Sequence, residues 1–360
     1  MTFERSGDEL PARPQRAEPS AVVISMRMSG HAGPSGYDRL VDYLPCNVIR
    51  PPVNWSFNQR AVAKVLKPLI KKAGSQWYQR GNLICELAAG ARWWREAGQV
   101  FHFLYGENSY CYLGHLKKFS KPKPIVCTYH LPQEKFRRIV FDTRPIKRLD
   151  AVVVVSTVQR DIFSDLVGQD RIHYIPHGVD VQYFQPPTTP AKSNKFRCLF
   201  VGSHLRDFDV FAAAAKILRG KEIEFVVVTS PSEHDRFAGL DNVTILNGIS
   251  DKELLELYQS SQLFVMPITD ATTNNALLEA MACGLPTITT DFVGIRDYVD
   301  ESAAILTKRG DVSSFVDGIN YLYGNDSRRM DMGRAARERA LALSWERVAG
   351  QVTTLYGRLI

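Results

Sequence analysis

The 360-residue sequence has no apolar run near the roughly 18 residues that a bilayer-crossing helix needs, which excludes a helical span. Its first 20 residues lack the apolar centre of a signal peptide and are polar with mixed charge. A disordered lead-in and a cytoplasmic location are expected. None of the six cysteines (Cys46, Cys85, Cys111, Cys127, Cys198, Cys283) forms a C-x-x-C pair, so buried thiols are expected rather than disulfides or zinc ligands. Acid is missing altogether between Asp42 and Glu86, where Arg50, Arg60, Lys64, Lys67, Lys71, Lys72 and Arg80 fall. Up to residue 180 there are 26 basic against 16 acidic side chains, and beyond it 19 against 22. The first half therefore draws an anionic partner.

Short β-branched runs recur at Ala21–Ser25, Val100–Tyr105, Pro124–Thr128, Ala151–Val155, Phe196–Val201, Glu224–Thr229, Asn242–Leu246 and Leu263–Pro267, mostly separated by segments of helical spacing. That alternation reads as βα units, and so as parallel sheets covered by helices. The length exceeds what one core usually supports, so two domains of roughly 180 residues are expected. A proline-rich stretch from Pro176 to Ala191 breaks the periodicity and marks the boundary.

Two segments carry chemistry. Met28-Ser-Gly-His-Ala-Gly-Pro-Ser-Gly-Tyr37 is a glycine-rich loop after the first strand, suited to bring backbone N–H groups against a phosphate. Its glycines miss the G-x-G-x-x-G spacing, which argues against a dinucleotide-binding dehydrogenase, and a plain βα turn fits equally well. The second segment runs from Leu263 to Pro286: a strand, a polar loop, and a helix starting near Thr273 and ending at Gly284. The N–H groups of Thr273, Asn274 and Asn275 would form an anion site, and Glu279 would accept hydrogen bonds from a neighbouring ribose. A capped core helix with one exposed glutamate is the alternative.

In Ala276-Leu-Leu-Glu-Ala-Met-Ala-Cys-Gly-Leu-Pro286 the chain resembles glycosyltransferase family 4, and the resemblance extends over nearly everything from about Ala21. Arg171-Ile-His-Tyr-Ile-Pro-His-Gly-Val-Asp-Val-Gln-Tyr-Phe184 is similar to that family's interdomain segment. Phe200-Val-Gly-Ser203 is similar to the first strand and turn of its donor domain, which brings in Gly202 and Ser203. Ser344-Trp-Glu-Arg-Val348 is similar to the start of its terminal helix. The resemblance implies an α/β fold of the GT-B type, with two Rossmann-like domains across a cleft. The expected parts are an acceptor-side domain over 21–185, a donor domain over 192–342, and a helix over 343–360 that crosses back.

It further implies a retaining, metal-independent hexosyltransferase that uses a nucleotide-diphosphate sugar as substrate, needs no cofactor, and serves polysaccharide or glycoconjugate biosynthesis. Carried over by position, Glu279 binds the ribose, the loop Gly33, Ser35, Gly36 faces the diphosphate, His130 lies near sugar and acceptor, and Thr272, Thr273, Asn274 and Asn275 contact sugar and phosphates. The family's first glutamate falls on Ala271, where neighbouring Asp270 would substitute. Its arginine and lysine pair falls on Ser203 and Phe208, with Arg206 between them as the replacement charge.

Weaker signals read as structure. Asp207-Phe-Asp209 matches a metal-binding D-x-D, but helix capping explains it better. His102 reads as a satisfied core histidine. Residues 59–80 carry an apolar stripe against a basic face, interrupted by Pro68, as a helix lying on an anionic membrane would. A helix packed on the sheet fits that stripe as well. The acceptor is thus expected to be a glycan, a lipid-linked molecule or a small molecule, with peripheral membrane contact and no nucleic acid. An epimerase or phosphorylase on the same fold, or a non-catalytic nucleotide-sugar binder, are the alternatives.

Overall fold

The computed structural model describes residues 20–360 apart from 29–31, 53, 55, 57–60, 62–63, 96–98, 120–122 and 189–194. The expected N-terminal lead-in thus lies almost wholly outside the described residues, as does part of the proline-rich boundary and of the basic 59–80 segment. Among the described residues the chain builds two six-stranded sheets, and every strand pairing is parallel.

The first sheet holds β1 (Ala21–Ile24), β2 (Cys46–Ile49), β3 (Val100–Phe103), β4 (Ile125–Tyr129), β5 (Ala151–Val154) and β6 (Ile172–Tyr174), in the order β2-β1-β3-β4-β5-β6. Around it lie α1 (Lys67–Lys72), α2 (Arg80–Arg95), α3 (Gly106–Ser109), α4 (Gln133–Ile139) and α5 (Arg160–Val167). Strands β1, β3, β4 and β5 are buried at every residue, which is why they read as unbroken apolar runs rather than alternating ones. Pro68 sits in the first turn of α1, where its missing N–H costs nothing, and a turn at Leu66 parts α1 from the helical residues Lys64 and Val65 before it.

The second sheet holds β7 (Phe196–Val201), β8 (Ile223–Val228), β9 (Val243–Leu246), β10 (Leu263–Met266), β11 (Thr287–Thr290) and β12 (Ala304–Thr307), in the order β12-β11-β10-β7-β8-β9. Its helices are α6 (Phe208–Ile217), α7 (Asp251–Ser260), α8 (Asn275–Ala282), α9 (Val293–Arg296), α10 (Val312–Tyr323) and α11 (Asp326–Ala342). Asp207 caps α6, its carboxylate accepting from Val210 N at 3.1 Å, so the D-x-D spacing is a helix start.

Each sheet changes direction once, β1 lying between β2 and β3 and β7 between β8 and β10. In parallel α/β sheets, ligand crevices open at the carboxyl ends of strands on either side of such a reversal. The two crevices are the ones formed by the loops after β1 and β3 and by the loops after β7 and β10.

The last helix, α12 (Trp345–Leu359), is capped by Ser344 and returns to the first sheet. Trp345, Val348, Ala349, Val352, Leu355 and Tyr356 form its buried stripe and share one apolar cluster with Val23, Tyr37, Val126 and Val153. Tyr356 Oη lies 2.6 Å from His102 Nδ1, and Thr128 Oγ1 lies 2.8 Å from His102 Nε2. Burial pushes the His102 pKa down to about 3, so this fully enclosed imidazole stays neutral and serves packing.

The chain between the sheets runs directly under α12. A Cβ on Gly178 would stand 2.4 to 2.8 Å from ring atoms of Trp345, a side chain that is itself only 1 % exposed. Gly178→Ala is therefore expected to destabilise the protein by roughly 1–3 kcal/mol, the usual cost of overpacking. Thermal unfolding of the full chain would register this as a melting temperature several degrees lower; an unchanged melting temperature would mean that α12 is not seated on this glycine.

Candidate functional site

The two crevices meet, and among the described residues hydrogen bonds cross between the domains at several places, the buried one from Tyr298 Oη to Val155 O included. Glu279, just over one turn into α8 and 5 % exposed, accepts from Ser35 Oγ of the glycine-rich loop and, at its other oxygen, from Tyr258 Oη at 2.8 Å. Gly33 N donates to Asp251 Oδ2 at the start of α7, at 2.8 Å. Thr272 Oγ1 donates to His130 O. Lys135 Nζ on α4 donates to His204 Nε2 at 2.8 Å. Asp297 accepts from Ser156 Oγ, Thr157 N and Thr157 Oγ1 at 2.6 to 2.8 Å. Ser35, Gly36, His177, Asn275 and Glu279 line a recess of about 190 Å³ between the halves.

On the second-sheet side the loops after β7 and β10 are zipped together. Thr269 N donates to Leu205 O at 3.0 Å and Asp207 N to Pro267 O at 2.9 Å. Gly202 has φ +97°, and a Cβ there would stand 2.8 Å from an Arg206 guanidinium nitrogen, so glycine is required on both counts. Ser203 bonds Thr229 and Ser230 and ties the β7 and β8 loops. Helix α8 starts at Asn275, two residues beyond the expected Thr273. Asn274 is extended, and its side chain accepts from Leu277 N and so ends the loop as an N-cap. Thr273 and Asn275 remain partly exposed at the crevice mouth, while Thr272 is buried.

Arg206 departs from the expectation that it points a charge at a leaving group. Its guanidinium is buried, donating twice to Val201 O, once to His204 O at 3.0 Å and once to Asn274 Oδ1 at 3.1 Å. Burial pulls its pKa down to about 10, against the opposing pull of Tyr258 and Glu279. Arg206 therefore braces the α8 cap and the β7 turn, and it compensates the Glu279 carboxylate from behind. Glu279 itself has its pKa raised by burial, an effect that the bonds from Ser35 and Tyr258 and the charge of Arg206 resist.

At the position where the resembled family has its first glutamate, Ala271 is buried in the core, with its carbonyl 2.4 Å from where a Cβ on Gly294 would be. Half-buried Asp270 accepts from Ala271 N at 2.8 Å and feels the charges of Glu134, Arg309 and Lys135 across the crevice.

On the first-sheet side, His130 Nε2 lies 2.8 Å from Leu104 O. A carbonyl only accepts, so Nε2 carries the proton and Nδ1 is the basic nitrogen. The ring packs against Tyr37 and Tyr105, each with centroids 4.7 Å away, and Tyr37 in turn touches His177 and Trp345. Gly36, at φ +99°, turns the glycine-rich loop into the 3₁₀ turn that carries Tyr37.

Four contributors escaped the sequence reading: Glu107, Tyr258, Asp251 and Lys135. Only Glu107 had a readable sign, an acid directly after the apolar run of β3 at a strand's carboxyl end. It is 2 % exposed and accepts from His130 N at 3.3 Å through one oxygen, while the other has no hydrogen-bond partner. Burial lifts its pKa from the ordinary 4.5 to about 8. Unfolded, this carboxyl ionises near 4.5; folded, it holds its proton to about 8. Stability should therefore fall as pH rises between those values, by up to about 1.4 kcal/mol per pH unit. Glu107→Gln removes the titration, so the melting temperature of the variant relative to the unmodified chain should climb from pH 5 to pH 8. A difference that is flat with pH would show that Glu107 is ionised in the fold.

Residues 87–183 match the profile "Glycosyltransferase Family 4" and residues 195–325 the profile "Glycosyl transferases group 1". The chain is 32% identical over 255 residues to the D-inositol 3-phosphate glycosyltransferase of Paenarthrobacter aurescens, a match covering 64% of this chain and 62% of that protein. Across the first curated relatives the matched part spans 48 to 62% of their length. Among solved structures, the sucrose-phosphate synthase of Thermosynechococcus elongatus superposes with a TM-score of 0.69 at 17% identity, covering 95% of this chain and 99% of that one. Anabaena Alr3699/HepE in complex with UDP gives 0.71 at 14% identity, covering 94% and 100%. Those two likenesses show the fold, two Rossmann-like domains of the GT-B type.

Proposed function

The chain belongs to the GT-B glycosyltransferases of family 4, and from that premise we propose that it moves a sugar from a nucleotide-diphosphate donor to an acceptor hydroxyl with retention of configuration. The observation that carries this reading is Glu279: a buried carboxylate at the second sheet's reversal whose two oxygens are engaged by hydroxyl groups, those of Ser35 and Tyr258. Ribose hydroxyls offer the same kind of donor. A bound donor would take Ser35's place on Glu279, with its diphosphate at the N–H groups that open α8.

In the reaction the bond from the anomeric carbon to the phosphate oxygen breaks and its electron pair leaves with the diphosphate. The acceptor oxygen bonds the same carbon from the same face, and its proton passes to a phosphate oxygen. No protein nucleophile or metal ion takes part. The protein's work is electrostatic: fixed donors at the α8 start and in the 33–36 loop meet the charge that develops on the leaving group. His130, with Nδ1 as its basic nitrogen, lies on the sugar and acceptor side, and Asp270 is the acid placed to hold a sugar hydroxyl. Epimerase, phosphorylase and non-catalytic readings draw no support from the relatives, which bear transferase names.

The acceptor in this proposal is anionic. The basic excess of the first half supports it, and the name of the Paenarthrobacter relative specifies a phosphorylated acceptor for that enzyme. Helix α1 packs Leu69 and Ile70 against a small apolar cluster and leaves Lys67, Lys71 and Lys72 exposed, with Val65 just before it 75 % exposed, a face that suits contact with an anionic membrane surface. No helix of the described residues is long and apolar enough to cross a membrane.

Two measurements test these readings. One of UDP, GDP, ADP and TDP, with their sugars, should raise the melting temperature of the full chain, by mass action on the folded state. Glu279→Ala should cut that shift severely; an equal shift in the variant would remove Glu279 from the donor site. The chain should also sediment with vesicles of phosphatidylglycerol but not of phosphatidylcholine, and release them in salt of about 0.5 M. Background sedimentation with both would refute membrane contact.

A further inference from the structure

We propose that Lys135, carried on α4 of the first-sheet domain, is the cation that contacts the donor's terminal phosphate across the cleft. This rests on the reading of the chain as a nucleotide-sugar transferase. The crevice where a diphosphate would lie is walled by the loops after β7 and β10, on either side of the sheet's reversal. Within the β7 loop and the start of α6 the chemistry is spent. Phe208 is a core residue beneath Arg236, Ser203 is tied to Thr229 and Ser230, and Arg206 is buried on Val201 O, His204 O and Asn274. Arg309 acts on Asp270 too, but it is exposed and follows β12, at the far edge of the sheet.

Lys135 reaches this crevice from the opposite domain. Its Nζ lies 2.8 Å from His204 Nε2 in the β7 loop, 5.4 Å from the centroid of the Trp77 ring, and within electrostatic reach of Asp270 in the β10 loop. Trp77 belongs to the same domain as Lys135 and holds the ammonium by its ring face. His204 is a neutral partner: burial first, then Lys135 and Arg206, push its pKa down to about 4. The ammonium thus meets an imidazole lone pair rather than a carboxylate at hydrogen-bond distance, while burial and then Arg138 pull its pKa down against the pull of Asp270. As the anomeric carbon–oxygen bond breaks and the electron pair moves to the phosphate, Lys135 would donate hydrogen bonds to that oxygen without giving up its proton. Because the charge comes from the other domain, the second-sheet domain alone would hold the nucleoside well and the terminal phosphate poorly.

Isothermal titration of the full chain tests this with whichever of UDP, GDP, ADP and TDP stabilises it most, and with the matching nucleoside monophosphate. Lys135→Met should weaken the diphosphate about tenfold and the monophosphate less than about twofold, and Lys135→Arg should restore most of the loss. His204→Ala, which removes the tie between domains but leaves the ammonium, should cost the diphosphate much less than Lys135→Met. Equal losses for mono- and diphosphate, or equal losses in the His204 and Lys135 variants, would make Lys135 a strut between domains and overturn the proposal. If the unmodified chain binds no nucleoside diphosphate, the transferase reading falls and this inference falls with it. Diphosphate binding that is intact in Lys135→Met overturns the inference alone.

Discussion

A carboxylate taken out of water has to be met by donors and a compensating charge, and Glu279 sets that requirement for the whole centre of this protein. Tyr258 comes from α7, Arg206 from the turn after β7, and Ser35 from the loop after β1, so one buried acid gathers three elements from both sheets. Around it two further bonds cross the cleft, from Gly33 to Asp251 and from Thr272 to His130 O. The interface is polar at its heart, and beside it Tyr37, His130, His177 and Trp345 pack edge-on or tilted against one another. These rings seat the linker and α12 on the first sheet, while hydroxyl and amide contacts across the cleft can be exchanged for those of a ligand at small net cost.

Charge is divided between the domains in the same spirit. The second-sheet domain braces its own acid with Arg206 and has a core phenylalanine at Phe208, whereas the first half of the chain is basic and sends Lys135 over the cleft to His204. On the proposed reading, such a division makes the anion site a property of both domains together.

Much of the fold could be read before the structure, and the gaps have physical causes. Strands such as β5 and β10, enclosed on both faces, announce themselves as apolar runs. Strands β2, β6 and β11 did not: β2 is only partly buried, β6 has three residues, and β11 is Thr-Ile-Thr-Thr, where Thr289 Oγ1 donates to Met266 O and Thr290 Oγ1 accepts from Ile268 N inside the sheet. At the site, Glu279 was legible because a helix start, a glycine stop and a proline frame it within one segment. Its partners were not, because Ser35 lies 244 positions away and the bond from Gly33 to Asp251 spans 218. The direction of the Arg206 side chain was likewise unreadable, since it depends on Gly202 leaving room beneath it and on Asn274 arriving from another loop.

The central claim is that Glu279 holds hydroxyl groups in trust for a donor ribose. A crystal structure of the full chain with its stabilising nucleoside diphosphate tests this most directly. The account predicts both ribose hydroxyls on the Glu279 carboxylate, Ser35 displaced from it, and the diphosphate at the first N–H groups of α8. A nucleotide bound elsewhere, with the bond from Ser35 to Glu279 intact, would contradict it.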